Sequence, residues 1–219
     1  MNRRITAVVA LATICACAKH QPPPSNDVAP APQPAAPVAA ATPPAAAPST
    51  KRYTPADVHF MAGMIGHHAQ AIEMAKWAPS HGASPAVQRL CERIVVGQTD
   101  EIAMTQRWLR EHGEYVPPAD PRGHIMPGMD QPMLMPGMLT PQQMAQLDSA
   151  RGPDFDRLFL TDMIQHHQGA ITMVHDLLAV PGAAEDGPVF RFANDVNVDQ
   201  TTEINRMQLM LNDLKRSSQ

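Results

Sequence analysis

Cysteine and charge are both scarce in this 219-residue chain. Of its three cysteines, Cys15 and Cys17 lie in an N-terminal segment with features of an export signal, so Cys91 is left alone and we expect no disulfide framework. Charged residues make up 17% of the chain, and the net charge is −4. Neither a basic surface nor an acidic tail is present, and we therefore expect no nucleic-acid partner.

Residues 1–18 have the pattern of a secretory signal peptide. Asn2-Arg3-Arg4 supplies a charged start, and the apolar run over residues 5–14 is too short to span a membrane as a mature helix. Ile14-Cys15-Ala16-Cys17 is typical of a bacterial lipobox, in which Cys17 would carry lipid; cleavage after Ala18 by the ordinary signal peptidase is the alternative. The sequence therefore predicts export to the periplasmic face of a membrane, with a lipid anchor at Cys17.

Residues 19–52 consist mainly of proline, alanine and small polar residues. Such a composition cannot bury enough apolar surface to offset its conformational entropy, so we predict a disordered linker. A linker that follows a lipid anchor would hold a folded domain, here residues 53–216, away from the membrane surface. A segment that crosses a cell wall, or a passive leader, would have the same composition.

The folded part shows four long helical patterns and no period-two alternation, so we expect no sheet. Thr54-Pro55 and Ser84-Pro85 each place a capping side chain before a proline, which is typical of a helix start. The expected helices begin near Thr54, Ser84, Gly152 and Gly187, and they end before Pro79, at Gly113, at Pro181 and near Lys215. We therefore predict an all-α four-helix bundle built from two similar helical hairpins.

A motif containing methionine and paired histidines occurs twice. Met64-Ile65-Gly66-His67-His68 recurs as Met163-Ile164-Gln165-His166-His167, at a constant offset of 163 − 64 = 99 residues. On a helix, the methionine and the second histidine of each copy share one apolar stripe, and the first histidine flanks it. We expect the four histidines to point into a core. The methionines expected beside them as soft ligands are Met61, Met64 and Met163.

The second helix of each half carries an apolar seam that is interrupted by one glutamine and one glutamate. Burying an unpaired carboxylate is costly, so Glu101 and Glu203 need partners, and the core histidines are the natural ones. The glutamates could be metal ligands, or they could only orient the histidines by hydrogen bonds. Cys91 lies on the same seam, which favours a buried small hydrophobe over a nucleophile; a soft-metal ligand is the alternative.

The connection between the halves, residues 114–140, is rich in proline, glycine and methionine. Its methionines are Met126, Met129, Met133, Met135 and Met138. Because a loop of this kind runs over the surface, thioethers in it are poor core material. Thioether sulfur is a soft, neutral ligand that suits Cu(I) or Ag(I), and we predict that the loop methionines capture such an ion. The alternative is that they pack as adaptable gap-fillers over the bundle.

The doubled motif, together with Gln98-x-x-Glu101-Ile102 and the run Met135-Pro136-Gly137-Met138-Leu139-Thr140-Pro141, resembles the family called domain of unknown function 305. The resemblance covers residues 56–214. It implies a ferritin-like four-helix fold, usually exported, and some relatives are copper-binding proteins of the periplasm. The two copies differ where Gly63 stands opposite Asp162 and Thr105 stands opposite Met207, so two metal sites would be unequal.

Three functions follow from these patterns. The first is a binding protein, not an enzyme: an exported, membrane-tethered protein that sequesters copper, Cu(I) in preference to Zn(II), through paired histidines and methionines. The second is a dinuclear-metal, ferritin-like oxidoreductase. It is disfavoured because the Glu-x-x-His motif of di-iron proteins does not occur on the core faces. The third is a metal-free lipoprotein whose histidines are satisfied polar groups of the core.

Overall fold

The computed structural model describes residues 52–217. The predicted signal peptide, the lipidation site Cys17 and nearly all of the predicted linker lie outside the described residues. Among the helices of residues 52–217, none combines the length and the apolar character needed to cross a membrane.

Residues 52–217 form five helices and no strand, which confirms the all-α class. The helices are α1 (Pro55–Lys76), α2 (Pro85–Glu111), α3 (Pro141–Ser149), α4 (Gly152–Leu178) and α5 (Gly187–Ser217). The four long helices occupy the predicted segments. The short helix α3 was not predicted, although Thr140 and Gln143 form a capping box at its start.

Two hairpins, α1 with α2 and α4 with α5, meet mainly along α1 and α4. Buried carboxylates at the same 99-residue offset tie the hairpins together. Asp57 in the first turn of α1 accepts a hydrogen bond from the Ala184 N–H at 2.7 Å. Asp156, five residues into α4, accepts from the Ser84 N–H at 3.1 Å. Each hairpin therefore holds the turn of the other hairpin by a hydrogen bond to a buried carboxylate. The two carboxylates, Asp57 and Asp156, are a further pair of equivalent residues in the doubled sequence.

The bundle core consists of two apolar clusters with the histidines between them. One cluster contains Phe60, Met61, Met64 and Phe192, and the other contains Ala71, Met74, Phe155, Phe159 and Met163. Along α1, the first cluster ends at Ile65 and the second begins at Ala71. His67 and His68 therefore form part of a polar layer at the middle of an otherwise apolar core.

The connection between the hairpins docks against α1 and α4, so the prediction of a purely surface loop was wrong. Met135 and Met138 are only 6% and 5% exposed. The physical reason lies in helical glycines: a Cβ placed on Gly66 would lie 2.7 Å from the Gly123 carbonyl oxygen, and one placed on Gly169 would overlap the backbone at Pro136. The missing side chains let the loop backbone approach both helices closely.

Gln70 of α1 holds both ends of this loop. Its side-chain amide donates to the Pro121 and Leu139 carbonyl oxygens, each at 3.1 Å, and its carbonyl oxygen accepts from the Leu139 N–H at 2.7 Å. One buried side chain therefore joins two distant parts of the connection, at Pro121 and Leu139, to the helix that carries His67 and His68.

Candidate metal centre

All four motif histidines are fully buried at the centre of the bundle. The sequence predicted core histidines as partners of the glutamates, and the second histidine of each pair lies against the glutamate of its own hairpin. His68 Nε2 lies 3.0 Å from Glu101 Oε2, within ion-pair distance but outside hydrogen-bond geometry. His167 Nε2 makes a hydrogen bond of 2.7 Å with Glu203 Oε2. The glutamates thus contact the outer nitrogens of these imidazoles.

The first histidine of each pair faces the connection. The rings of His67 and His166 are in contact, with centroids 3.9 Å apart. His67 Nε2 donates to the Pro136 carbonyl oxygen at 3.0 Å, whereas neither ring nitrogen of His166 has a hydrogen-bond partner. Only one of the two is therefore fixed by the loop.

The hydrogen-bond partners determine which nitrogens carry lone pairs. A carbonyl oxygen can only accept, so the proton of neutral His67 is on Nε2 and its Nδ1 is a bare acceptor. His68 and His167 each have Nε2 facing a carboxylate. The Nδ1 atoms of all three are buried without a partner. The core therefore contains imidazole lone pairs for which the protein provides no donor.

The first histidines are neutral at physiological pH. Burial, reinforced by the neighbouring His68, lowers the pKa of His67 to about 3. Burial, and then His67, lowers the pKa of His166 well below its ordinary value. Neutral imidazole is the form that binds metal ions, so these two groups need no deprotonation to act as ligands.

Buried methionines occur on the same helices as the first histidines. The core methionines predicted as soft ligands are all fully buried: Met61, Met64 and Met163. Two more meet at Gly63, one turn before His67: a Cβ placed there would lie 2.8 Å from the Met135 methyl carbon and 3.3 Å from that of Met173. Met173 was not predicted as a ligand, although it occurs in the second motif at the position equivalent to Met74.

The connection contains two Met-Pro-Gly-Met turns, residues 126–129 and 135–138, with the same internal geometry. In each turn the N–H of the first methionine donates to the sulfur of the last, at 3.3 and 3.4 Å, and the glycine has a positive φ, 87° and 78°. Their surroundings differ. The methionines of the second turn are buried, whereas those of the first are partly exposed and Met133 is 46% exposed. The structure therefore separates the five loop methionines into a core pair and an outer group.

Within residues 52–217, no three His, Cys, Asp or Glu side chains converge in an arrangement that could hold a metal ion. The structure brings His67 next to His166, and it pairs His68 and His167 with their glutamates. The soft ligand type found one turn from His67, at Gly63, is the thioether of Met135 and of Met173.

A cleft of about 340 Å³ between α2 and α5 opens at the glutamates. Its charged and amide side chains are Arg93, Gln98, Glu101, Asp199, Gln200, Glu203 and Arg206. Burial and the neighbouring carboxylates, Glu101 foremost, raise the pKa of Asp199. Solvent therefore reaches Glu101 and Glu203, which contact His68 and His167, from this cleft.

Residues 57–211 match the family model described as Domain of unknown function (DUF305). The chain belongs to this family. The prediction made from the doubled motif is thus confirmed at the level of the family. The ferritin-like description stays a prediction.

Solved structures of DUF305 proteins are similar to this chain. A DUF305 fragment from Deinococcus radiodurans is 30% identical, with a TM-score of 0.60, and the match covers 74% of this chain and 98% of that one. A DUF305 protein from Streptomyces coelicolor, described as secreted, is 27% identical, with a TM-score of 0.62 and coverage of 73% and 94%.

CopM in its Cu(I)-bound form is 25% identical, with a TM-score of 0.56 and coverage of 72% and 96%. CopM in an Ag-bound form gives the same identity with a TM-score of 0.54. Among curated proteins, a segment of 46 residues is 37% identical to protein L153 of Acanthamoeba polyphaga mimivirus, and this match spans 30% of that protein and 21% of the DUF305 chain described here.

Proposed function

We propose that this protein binds a soft monovalent cation, Cu(I) or Ag(I), between α1 and α4, without catalysing a reaction. The observation that carries the proposal is the set of buried imidazole nitrogens that lack a hydrogen-bond partner beside buried thioethers. A buried polar atom without a partner destabilises the fold by about 1–3 kcal/mol, and an ion that accepts the lone pair would remove that penalty. Histidines that were merely satisfied polar groups of the core would not leave so many nitrogens unpaired.

His67 and His166 with Met135 and Met173 form the ligand set that fits best. Imidazole alone accepts Zn(II), Cu(II) or Cu(I), whereas thioether sulfur favours the soft monovalent ions. Two imidazoles that share one ion, with metal–nitrogen bonds of ~2 Å, have ring centroids ~5–6 Å apart. Since His67 and His166 are 3.9 Å apart, one ring must turn. His166 can do so because no hydrogen bond holds it.

Glu101 and Glu203 act in this proposal as groups that orient His68 and His167. A histidine that binds a metal commonly donates its other ring N–H to a carboxylate, which fixes the tautomer and directs the free nitrogen. Both glutamates have their carboxylate against the outer nitrogen of a buried histidine. This arrangement makes His68 Nδ1 and His167 Nδ1 available as further ligand atoms on the inner side.

The likeness to CopM supports the metal at the level of the family, because that protein has been solved with Cu(I) and with Ag bound. We further propose that the protein is exported and tethered to a membrane by lipid at Cys17, on the basis of the lipobox pattern. Two or more acyl chains hold a protein on a membrane far more firmly than one chain does. Cys17→Ser should release the protein into the soluble periplasmic fraction, and its retention on membranes would contradict this part of the proposal.

The metal proposal is tested by Cu(I) titration of the metal-free protein against a competing chromophoric chelator, without oxygen. The double variant Met135→Leu with Met173→Leu should bind Cu(I) at least tenfold more weakly. Leucine conserves the volume, so the circular dichroism spectrum should be unchanged. Met210→Leu, on the partly buried edge of α5, is the matched control and should bind as the wild type does. Equal affinities in the double variant and the control would refute a role for the core thioethers.

A further inference from the structure

His124, in the connection, is a buried histidine that the sequence patterns did not single out. It is 1% exposed, and neither of its ring nitrogens has a hydrogen-bond partner. A neutral imidazole carries one donor and one acceptor. The Ala62 backbone interacts weakly with the ring, outside normal hydrogen-bond geometry, so at least one ring nitrogen is left unmatched. The nearest ring is that of His59 on α1, perpendicular to it with centroids 5.6 Å apart.

The backbone places His124 there by several contacts. His124 and Met133 exchange two backbone hydrogen bonds of 2.8 Å, which close a small antiparallel loop around the first Met-Pro-Gly-Met turn. The preceding residue, Gly123, packs its backbone against Gly66 of α1. Residues directly opposite in an antiparallel pair project their side chains to the same face, so the thioether of Met133 lies on the His124 side of this loop.

His59 connects this position to solvent. It is exposed, and it lines a pocket of about 230 Å³ together with Met135, Met173 and the exposed carboxylate of Asp176. His59 is therefore open to an ion that arrives from solution, in the same pocket as Met135 and Met173.

We propose that His59 and His124 form a second soft-cation site at the edge of the connection, with the Met133 thioether as a third ligand. The centroid separation of 5.6 Å falls within the ~5–6 Å expected for two imidazoles on one ion. The site is separate from the His67 and His166 pair, and it rests on the proposed function only for the class of ion. The exposed side chain of His59 gives an ion access to this site from solvent.

Titration of the ¹⁵N-labelled full-length protein with Ag(I) tests the proposal. The ring nitrogens of His59 and His124 should shift as Ag(I) is added, and His59→Ala and His124→Leu should each lower the number of bound Ag(I) ions by one. His175→Ala, an exposed histidine on α4, is the control and should leave the number unchanged. If His124→Leu fails to fold, the exposed His59→Ala decides alone.

The results separate this site from the core site. Loss of one ion in His59→Ala, while the Met135 and Met173 double variant also binds less tightly, would support both sites. An unchanged number of ions in His59→Ala, together with unshifted ring signals of His59 and His124 at saturating Ag(I), would overturn this inference and leave the core proposal standing. Shifts confined to His59 and His124 would support the site formed by these two residues and refute the site at His67 and His166.

Discussion

Mild acid is expected to destabilise the metal-free domain through its buried histidines. Burial, followed by the neighbouring His68, lowers the pKa of His67 from 6.5 to about 3 in the folded state. The unfolded chain has the ordinary pKa, so between these two values it binds a proton that the folded state does not. Stability therefore falls as the pH falls, by about 1.4 kcal/mol per pH unit for this one group. Between the ordinary pKa and a pH two units lower, His67 alone removes about 2–3 kcal/mol. His166 acts in the same direction, because burial also lowers its pKa.

Urea unfolding at a series of pH values between neutrality and mild acid, with a chelator present, measures this effect. His67→Gln should show a slope of stability against pH that is shallower by about 1.4 kcal/mol per pH unit, because one titrating group is gone. The glutamine amide can still donate to the Pro136 carbonyl, so the loop contact is not lost with the imidazole. His175→Gln, at an exposed position, should keep the wild-type slope. Identical slopes in all three proteins would refute the claim that burial lowers the pKa of His67 in the folded state.

Two further predictions concern the docking of the connection. Gly169→Ala should destabilise the domain by about 3 kcal/mol, because the new methyl group overlaps the loop backbone, whereas Gly97→Ala in α2, where nothing lies within 4 Å, should stabilise it by about 0.5–1 kcal/mol. Thermal unfolding compares them, and similar effects at the two glycines would contradict close docking. Gln70→Ala should cost about 2–3 kcal/mol and speed proteolysis of the connection, because a buried N–H loses its acceptor; the exposed Gln168→Ala should change stability by less than about 0.5 kcal/mol. Resistance to protease in Gln70→Ala equal to that of Gln168→Ala would refute this role.

The long helices could be predicted because their starts depend on local chemistry. Thr54 and Ser84 accept hydrogen bonds from N–H groups of the first turn, and each is followed by a proline at the first helical position. The same signal was present at Thr140 and was missed, because α3 is short and directly follows the proline-rich connection. The pairing of His68 with Glu101 could also be predicted, since a seam carboxylate needs a partner.

The position of the connection could not be predicted from its own composition. A segment rich in proline and glycine normally runs over the surface, and nothing within residues 114–140 shows that Met135 and Met138 are buried. The feature that indicates a buried connection is the presence of glycine within α1 and α4. Gly63, Gly66 and Gly169 each weaken a helix by about 0.5–1 kcal/mol relative to alanine, so glycine at these positions indicates a close approach by another part of the chain. His124 carries no motif, and only the docked loop shows that it faces His59.

The two copies of the motif differ at the positions that hold the connection, and this difference makes the surroundings of the two first histidines unequal. At the 99-residue offset, Gly66 corresponds to Gln165 and Gln70 corresponds to Gly169. Each helix therefore uses one glycine to admit the loop backbone and one glutamine to bind it, in exchanged positions: Gln70 holds Leu139, and Gln165 donates to the Gly137 carbonyl at 3.2 Å. A single loop crosses both helices, and its Pro136 carbonyl accepts a hydrogen bond from His67 but not from the equivalent His166. In the proposed metal site, His67 would therefore be a ligand fixed by the loop and His166 a ligand that is free to turn, and this difference accompanies the exchange of glycine and glutamine.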